Sequence, residues 1–315
     1  MRSRGIHHVT AIAGSARRNL DFYVRTLGLR LVKKTVNFDD PGTYHLYYGD
    51  EAGGPGTILT FFPWEGVPAG RLGVGETRET AFRVPEGAIG YWTHRFLEKG
   101  VKHDALVRRF GESVLTFTDP DGASLALVAQ PGAEAERGWS AGGIPSEYAI
   151  RGFHSVTLLL EDGGPTGDIL TDVLGFEGGP AEGSIRRYSA PGAKAGAIVD
   201  IRAVGGFPRG WQGAGSVHHV AFRAADDADQ AEMAHKLVER HRVRTTEQKD
   251  RNYFRSVYFR EPGHVLFEIA TDPPGFAVDE PAATLGEALK LPPFLEVHRS
   301  AIEAALPKLD SSLPP

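Results

Sequence analysis

Two histidine doublets and one glutamate are the residues of this sequence that could perform chemistry together. His7–His8 and His218–His219 each open a stretch of alternating apolar residues. Because neighbouring residues of a strand point to opposite faces, only one histidine of each doublet can face a given centre. Glu268 lies within the apolar run VLFEIA, where a carboxylate is costly unless it is paired or binds a metal.

Two imidazoles and one carboxylate form a facial triad, which leaves adjacent coordination positions open for substrate and dioxygen. This ligand set is typical of non-haem Fe(II) oxygenases, although Zn²⁺, Ni²⁺ and Mn²⁺ accept the same ligands. The sequence has Cys 0, which excludes disulfides and thiolate sites and leaves nitrogen and oxygen as the ligands. The alternative is that the doublets are coincidental and that Glu268 pairs with an arginine.

Composition favours a small-molecule partner. The 315 residues carry Lys+Arg 35 against Asp+Glu 40, a net charge of -5 without charge runs, so neither nucleic acid nor a membrane surface is an expected partner. No apolar stretch has the length of a signal peptide or a membrane helix, so we expect a cytoplasmic location. The chain is also long enough to bury a core without help from metals.

A strand, an amphipathic helix and further strands recur four times, at a spacing of roughly 60 to 80 residues. The first strand of each unit is easily recognised by its apolar pattern. These strands read, in chain order, GIHHVTAI, TAFRVP, GFHSVTLLL and VHHVAFRA. The repeat predicts an α+β fold of four βαβββ modules.

A Gly, Ala and Pro-rich segment near residue 140 separates the second module from the third. It predicts an N-terminal domain over 1–139 and a C-terminal domain over 140–275, each with two modules. Residues 276–315 form a Pro-punctuated tail with a short helix from about Pro293 to Leu306. We expect this tail to pack on the body as a lid or strap.

With these motifs in place, the sequence resembles the vicinal oxygen chelate superfamily, which includes glyoxalase I, bleomycin resistance proteins and extradiol dioxygenases. The similarity covers nearly the whole chain. The segments LDFYVRTLGLRLV, GSVHHVAF, FREPGHVLFEIATDPPGF and LKLPPFLEVHRSAIEAALPKL are similar to its hydroquinone-type ring-cleaving dioxygenase branch. The resemblance implies that the four modules form two curved mixed-sheet half-barrels.

The resemblance also implies a ligand set. In the superfamily the ligand of the first strand lies fourteen residues before an aromatic residue of the helix, which here places His8 before Phe22. The same register in module four selects His219, and Glu268 occupies the carboxylate position. The family then implies that these three residues hold Fe(II), or sometimes Mn(II).

Polar residues around the metal in that branch match Arg251, Tyr258, Thr10 and His218 of this chain. A guanidinium and a phenol can orient a phenolate and stabilise charge on reduced oxygen, and His218 can move a proton. The alternatives are structural: a solvated arginine, a core tyrosine, and a histidine that faces away from the metal. His7 is not included for that last reason.

The residue at the ligand position of module three distinguishes two ways in which the family arranges its metal ligands. Well-known catechol extradiol enzymes draw all three ligands from the C-terminal half, but here Ser155 stands at the ligand register of module three and His154 lies one place off. This favours the hydroquinone branch, whose ligands come from the first and last modules. We therefore expect modules one and four to be spatial neighbours.

The predicted function is cleavage of small hydroxylated aromatic rings with dioxygen, by a chain that can form a homo-oligomer. One rival is a glyoxalase-like lyase with Zn²⁺ or Ni²⁺, but such sites usually need a second carboxylate, and the residue six places after Pro55 is Phe61. Another rival is a drug-binding resistance protein, for which a metal triad has no use.

Three further histidines have structural interpretations. His45 and His264 lie in predicted strands, and His154 begins the third module. Each is expected to be a buried histidine that is satisfied by hydrogen bonds.

Overall fold

In the computed structural model, which describes residues 4–309, sixteen strands form two mixed sheets of eight strands each. Each module contributes one strand, a helix and three further strands. This confirms the α+β fold of four βαβββ modules in two curved half-barrels.

The modules have these bounds. Module one comprises β1 (Ile6–Ala13), α1 (Ala16–Leu20) with a π-helical continuation (Asp21–Thr26), β2 (Arg30–Asn37), β3 (Asp40–Gly49) and β4 (Ile58–Pro63). Module two comprises β5 (Glu76–Pro85), α2 (Ile89–Lys99), β6 (Val107–Arg109), β7 (Glu112–Thr118) and β8 (Ser124–Gln130). Module three comprises β9 (Phe153–Leu160), α3 (Gly164–Asp172), β10 (Glu177–Glu182), β11 (Ile185–Ser189) and β12 (Ile198–Ala203). Module four comprises β13 (Val217–Ala224), α4 (Asp227–His241), β14 (Lys249–Asp250), β15 (Arg255–Arg260) and β16 (Leu266–Thr271).

The two sheets join modules that are distant in sequence. One sheet has the order β14, β15, β16, β13, β1, β4, β3, β2, and the other has the order β10, β11, β12, β9, β5, β8, β7, β6. Because β1 pairs antiparallel with β13, modules one and four are neighbours, as expected. Each sheet therefore takes strands from both halves of the chain, and the boundary near residue 140 stays a prediction.

Alternation along the strands separates a core face from a concave face. In β1, Val9 and Ala11 belong to the main hydrophobic core together with Leu20 and Tyr23 of the neighbouring helix. The intervening residues, including His8, point to the opposite face of the sheet. The core residues thus face the helices, and the concave face of the first sheet carries His8.

Residues 276–309 follow the last strand and pack on module one. Two short helices, α5 (Pro293–Glu296) and α6 (Arg299–Ala305), occupy the region for which one short helix was predicted. Leu295 and Ile302 are buried in the main core, and the backbone N–H of Lys290 donates to the carbonyl of Lys34 in β2. This segment is a strap that packs against β2 and β3 at one edge of the first sheet.

Two of the structural histidines can be assessed directly. His154 is buried, and its Nε2 lies 3.0 Å from Glu112 Oε1, which confirms its structural interpretation. The placement of His264 in a strand is wrong: it is exposed in the turn between β15 and β16, with a φ of 76°. The turn takes this conformation because Pro262 and Gly263 end β15 before the chain reverses.

Within residues 4–309, no helix combines the length and the apolar character that crossing a membrane would require.

Candidate metal centre

Three side chains from three adjacent strands converge on the concave face of the first sheet. His8 extends from β1, His219 from β13 and Glu268 from β16. The Nε2 atoms of His8 and His219 lie 3.3 Å and 2.9 Å from Glu268 Oε2, and 3.4 Å from each other. All three residues are at most 4 % exposed. Among the described residues, no other group of His, Asp and Glu converges in this way.

These distances fit a metal ion. Ligand atoms on bonds of about 2.1 Å are separated by about 3.0 Å at right angles and by about 3.4 Å at the tetrahedral angle. The observed separations span this range, so the geometry suits a first-row transition metal without choosing one. Apart from the two nearby Nε2 atoms, the buried Glu268 Oε2 has no hydrogen-bond partner among the described residues, which is the state expected of an oxygen that binds a cation.

The carboxylate of Glu268 is held in its charged form. Its other oxygen, Oε1, accepts a hydrogen bond from the hydroxyl of Ser256 on β15. Burial alone would raise the pKa of Glu268, but His8 and His219 hold it well below its usual range. A charged carboxylate beside two imidazoles is the set of donors that a divalent cation requires.

Each histidine of the centre is supported by the histidine that precedes it. The Nδ1 atoms of His7 and His8 are 2.9 Å apart, and those of His218 and His219 are 2.8 Å apart. If Nε2 is the metal-binding atom, Nδ1 carries the proton and donates it to the preceding ring, as outer-shell partners of metal ligands usually accept. His7, which sequence reasoning set aside because it faces away from the centre, therefore supports His8. The pair of adjacent histidines was the sequence feature that could have indicated this supporting role.

A cavity of about 290 Å³ opens beside the centre. Its walls are mainly aromatic, with a few polar groups. They are formed by His8, Asn37, Phe38, Asp39, His45, Tyr47, Phe62, Trp64, His218, His219, Thr246, Lys249, Arg251, Phe254, Tyr258 and Leu266. Such a volume and lining suit a small aromatic molecule.

Arg251 and Tyr258 both line this cavity. Arg251 Nε donates to Tyr258 Oη at 3.3 Å, and its Nη2 pairs with Asp39 Oδ2 at 3.1 Å. Tyr258 is the direct cross-strand neighbour of Glu268. Burial and the charge of Glu268 raise the pKa of Tyr258, so its phenol keeps its proton and remains a donor.

His218 lines the cavity, whereas Thr10 is buried in the sheet beside it. Burial together with His219 lowers the pKa of His218 to about 3, so the ring is neutral. Thr10 is fully buried and lies opposite His219 across the strands. Its hydroxyl accepts from Thr60 at 2.9 Å, and it is not one of the cavity-lining residues of the described chain.

His45 and Tyr47 also line the cavity, although sequence reasoning gave His45 a purely structural role and did not consider Tyr47. Both extend from β3 and lie two residues apart, so they share one face of the strand. The alternation in YHLYY was the available signal. It did not reveal which face of β3 is concave, because that depends on pairing with β4.

The second sheet has the same architecture without the same centre. Its equivalents of His8, His219 and Glu268 are Ser155, Glu79 and Ala126, as the matched pairing of β9, β5 and β8 shows. Glu79 forms two hydrogen bonds with Arg109, at 2.5 Å and 3.0 Å. One acid neutralised by an arginine replaces the triad, so only the first sheet offers a metal site among the described residues.

The position of a second carboxylate in module one needs a correction. Sequence counting placed it at Phe61, but Phe61 faces the core, and the pairing of β1 with β4 puts Thr60 opposite Thr10 on the concave face. The count was wrong by one place because the turn lengths of the modules differ. Thr60 is no carboxylate either, so the second acid of a glyoxalase-like site is missing.

Comparison with known proteins agrees with this geometry. A model of the glyoxalase/bleomycin resistance protein/dioxygenase superfamily matches residues 5–127. A Bacillus subtilis (strain 168) protein named as a ring-cleaving dioxygenase, MhqO, is 48 % identical over 305 residues, which are 97 % of this chain and 96 % of that protein. The chlorohydroquinone/hydroquinone 1,2-dioxygenase of Sphingobium indicum is 34 % identical over 300 residues, 94 % and 93 % of the two chains.

Solved structures extend the comparison. The crystal structure of a Bacillus subtilis protein named as a dioxygenase has 45 % identity, a TM-score of 0.94 and coverage of 99 % of both chains. Glyoxalase I from Zea mays, at 14 % identity and a TM-score of 0.65 over 85 % of this chain and 92 % of that one, shows the fold alone. The chain therefore belongs to the glyoxalase/bleomycin resistance protein/dioxygenase superfamily, also called vicinal oxygen chelate, and to the branch that contains these ring-cleaving dioxygenases.

Proposed function

We propose that this chain is a ring-cleaving dioxygenase for hydroquinone-type aromatics, dependent on Fe(II) or Mn(II) held by His8, His219 and Glu268. The observation that carries the proposal is the convergence of these three buried donors at the edge of an aromatic-lined cavity. The names of relatives that match nearly the whole chain support the substrate class.

The metal would supply the Lewis acidity that favours a phenolate and the electron exchange with dioxygen that an aromatic ring alone does not undergo. The histidines and Glu268 occupy one side of the centre, so the side that faces the cavity stays open. A substrate in the cavity would therefore lie next to His8 and His219, two of the residues that would hold the metal.

The cavity walls orient the ring. Phe254 packs against His8 with ring centroids 4.9 Å apart, and Phe62 packs against Trp64 at 5.8 Å in a stacked geometry. Aromatic walls bind a flat ring through apolar contact and offset packing. Exclusion of water in such a cavity also strengthens each polar contact made to the ring's hydroxyls.

Arg251 and Tyr258 act on developing negative charge. Tyr258 keeps its proton and lies beside Glu268, so its O–H can donate toward oxygen at the centre. The Arg251 guanidinium donates to the Tyr258 oxygen, which polarises the phenol and makes it a stronger donor. Preorganised donors of this kind are usually a large part of rate enhancement.

His218 holds a proton at a defined atom. If its Nδ1 accepts from His219, its own proton resides on Nε2. The neutral ring can then donate into the cavity that it lines. Thr10 has no such access, so we assign it a positioning role next to His219. We also propose that the protein works in the cytoplasm, where small aromatic substrates and dioxygen are its partners.

The test is oxygen consumption by protein loaded anaerobically with Fe(II) or, separately, Mn(II). We expect uptake with methylhydroquinone or chlorohydroquinone and a ring-opened product, and loss of both when a chelator removes the metal. Glu268→Gln keeps the shape of the side chain but removes its charge, and should abolish uptake. Absence of uptake with every hydroquinone, at full metal occupancy, would overturn the proposal.

A further inference from the structure

A chain of hydrogen bonds begins at Tyr47 and His45, which line the cavity, and continues into the first sheet. Tyr47 Oη lies 2.8 Å from His45 Nδ1, and His45 Nε2 lies 2.8 Å from Thr60 Oγ1. The Thr60 hydroxyl in turn donates to Thr10 Oγ1 at 2.9 Å. Four side chains from β3, β4 and β1 are therefore linked in one line across the concave face.

The direction of each proton follows from the last bond. Because Thr60 gives its proton to Thr10, it accepts from His45 Nε2–H. A neutral imidazole carries one proton, so His45 Nδ1 must accept from the Tyr47 O–H. Burial, with His8 and His219 nearby, holds the pKa of His45 well below its usual range, so the ring is neutral.

With the protons in these positions, the Tyr47 oxygen can still accept one more hydrogen bond. Tyr47 donates its only proton to His45, and its oxygen still has a lone pair that can accept. Burial, followed by Tyr253 and Tyr258, raises the pKa of Tyr47, so it does not ionise at ordinary pH. Any further hydrogen bond at the Tyr47 hydroxyl must therefore be one that its oxygen accepts, and Tyr47 is one of the residues that line the cavity.

The position of Tyr47 suits the far end of a ring. It lies on β3, separated from the His8 strand by β4, and strands are about 4.8 Å apart. Its ring is fixed by Phe276, at a centroid distance of 5.2 Å, and by the contact with His45 at 4.0 Å. A ring bound at the metal centre through one oxygen would extend across this gap.

We propose that Tyr47, oriented by His45, accepts a hydrogen bond from the second hydroxyl of a para-dihydroxy ring and thereby selects such rings over monophenols. This inference rests on the proposed function, because that function places the first hydroxyl at the metal centre. A 1,2-dihydroxy ring would keep both oxygens at the centre and leave Tyr47 without a partner.

Anaerobic binding to the metal-loaded protein tests the proposal, with hydroquinone, phenol and 4-methoxyphenol as the probes. The wild type should bind hydroquinone more tightly than phenol. In Tyr47→Phe the affinity for hydroquinone should fall about 3- to 10-fold, the effect of one neutral hydrogen bond, while the affinity for phenol stays constant. Equal losses for both probes, or no loss, would overturn the proposal.

A second variant tests the orienting role of His45. In His45→Phe the Tyr47 O–H loses its acceptor and is free to donate, so 4-methoxyphenol, which offers only an acceptor at its far end, should gain affinity relative to hydroquinone. A purely structural role would weaken all three probes together. Tyr48→Phe is the matched control: it lies on the same strand, donates to Asn19 at 2.9 Å and belongs to the core, so it should leave the preference unchanged.

Oxygen uptake tests the dioxygenase function, and binding of the probes tests the role of Tyr47. If the wild type takes up no oxygen with any hydroquinone, the proposed function fails, whatever the binding results. If the wild type is active but Tyr47→Phe keeps the preference for hydroquinone over phenol, the role of Tyr47 fails and the function stands.

Discussion

His218 contacts His219 through their Nδ1 atoms, which are 2.8 Å apart, and His7 makes the same contact with His8 at 2.9 Å. The two pairs differ in one respect: His218 lines the cavity and His7 does not. We therefore expect His7→Gln and His218→Gln both to weaken metal affinity about 10- to 100-fold, as loss of an outer-shell partner usually does. Competition with a metal-binding dye measures this.

Turnover at full metal occupancy then separates the pair. Only His218→Gln should also lower kcat, because of the two preceding histidines only His218 lines the cavity and can donate into it. Equal kcat values for the two variants would contradict this assignment. A normal metal affinity in both would contradict the supporting role of the doublets.

Tyr258 should act as a permanent donor. Burial and the charge of Glu268 raise the pKa of Tyr258 above the working range, so its phenol stays protonated. Tyr258→Phe should lower kcat/KM by about 100- to 1000-fold, the effect of losing one charge-stabilising donor. The loss should be the same from pH 6 to pH 9. A loss that disappears at high pH would show that the phenol ionises there. Ser256→Ala is a useful comparison, since it removes a partner of Glu268 that lies outside the cavity.

A buried ion pair fastens the strap to the first sheet. Lys33 is fully buried on β2, and its Nζ lies 2.6 Å from Asp279 Oδ1 and 2.5 Å from Glu280 Oε2. Lys33→Met would leave the two acids without their cation, so we expect a loss of about 3 to 5 kcal/mol in the free energy of unfolding. Urea denaturation measures it. Lys34 is the control: its Nζ donates to the Glu287 carbonyl and forms no ion pair within residues 4–309, so Lys34→Met should cost less than about 1 kcal/mol.

Glu112, on the second sheet, should make the free energy of unfolding decrease at acidic pH. Burial alone would raise the pKa of Glu112, but hydrogen bonds and charge from His154 and Arg187 lower it to about 2. A carboxyl whose pKa is depressed on folding stabilises the protein above its unfolded value, near 4.3, and loses that contribution as the pH falls toward 2. The side chain is 24 % exposed, so we discount for solvent and expect about 1 to 2 kcal/mol.

Glu112→Gln isolates this contribution. The variant should be less stable than the wild type at pH 6, and the difference between them should shrink between pH 5 and pH 3. Denaturant unfolding at a series of pH values measures both. A difference that stays constant over this range would show that the ion pair is not the cause.

Sequence patterns were sufficient to predict the modules, and they pointed to three side chains whose donor atoms lie close together in the structure. Apolar periodicity and turn residues such as those of DPDG define strands and helices locally, so four modules could be predicted. The doublets and Glu268 also stood out, because a carboxylate within VLFEIA needs a partner. The resemblance then selected His8 and His219, whose ring atoms meet in the structure.

Other features depend on pairing that no local pattern contains. The concave position of module one is Thr60 rather than Phe61, and a shift of one residue exchanges the two faces of a strand. Tyr47 and His45 reach the cavity only because β3 pairs with β4 in the observed register. The contact of His7 with His8 depends on ring orientations, which the spacing of residues does not determine.

Pairing of the first module with the last has a consequence for biosynthesis. His8 and His219 are separated by 211 positions, and Glu268 is translated later still. During synthesis His8 is translated first, and β1 has only β4 as a possible neighbour in its sheet until β13 and β16 emerge from the ribosome. A product that ends between His219 and Glu268 would retain both imidazoles yet lack the acid, so the three donors cannot be brought together before the sheet closes.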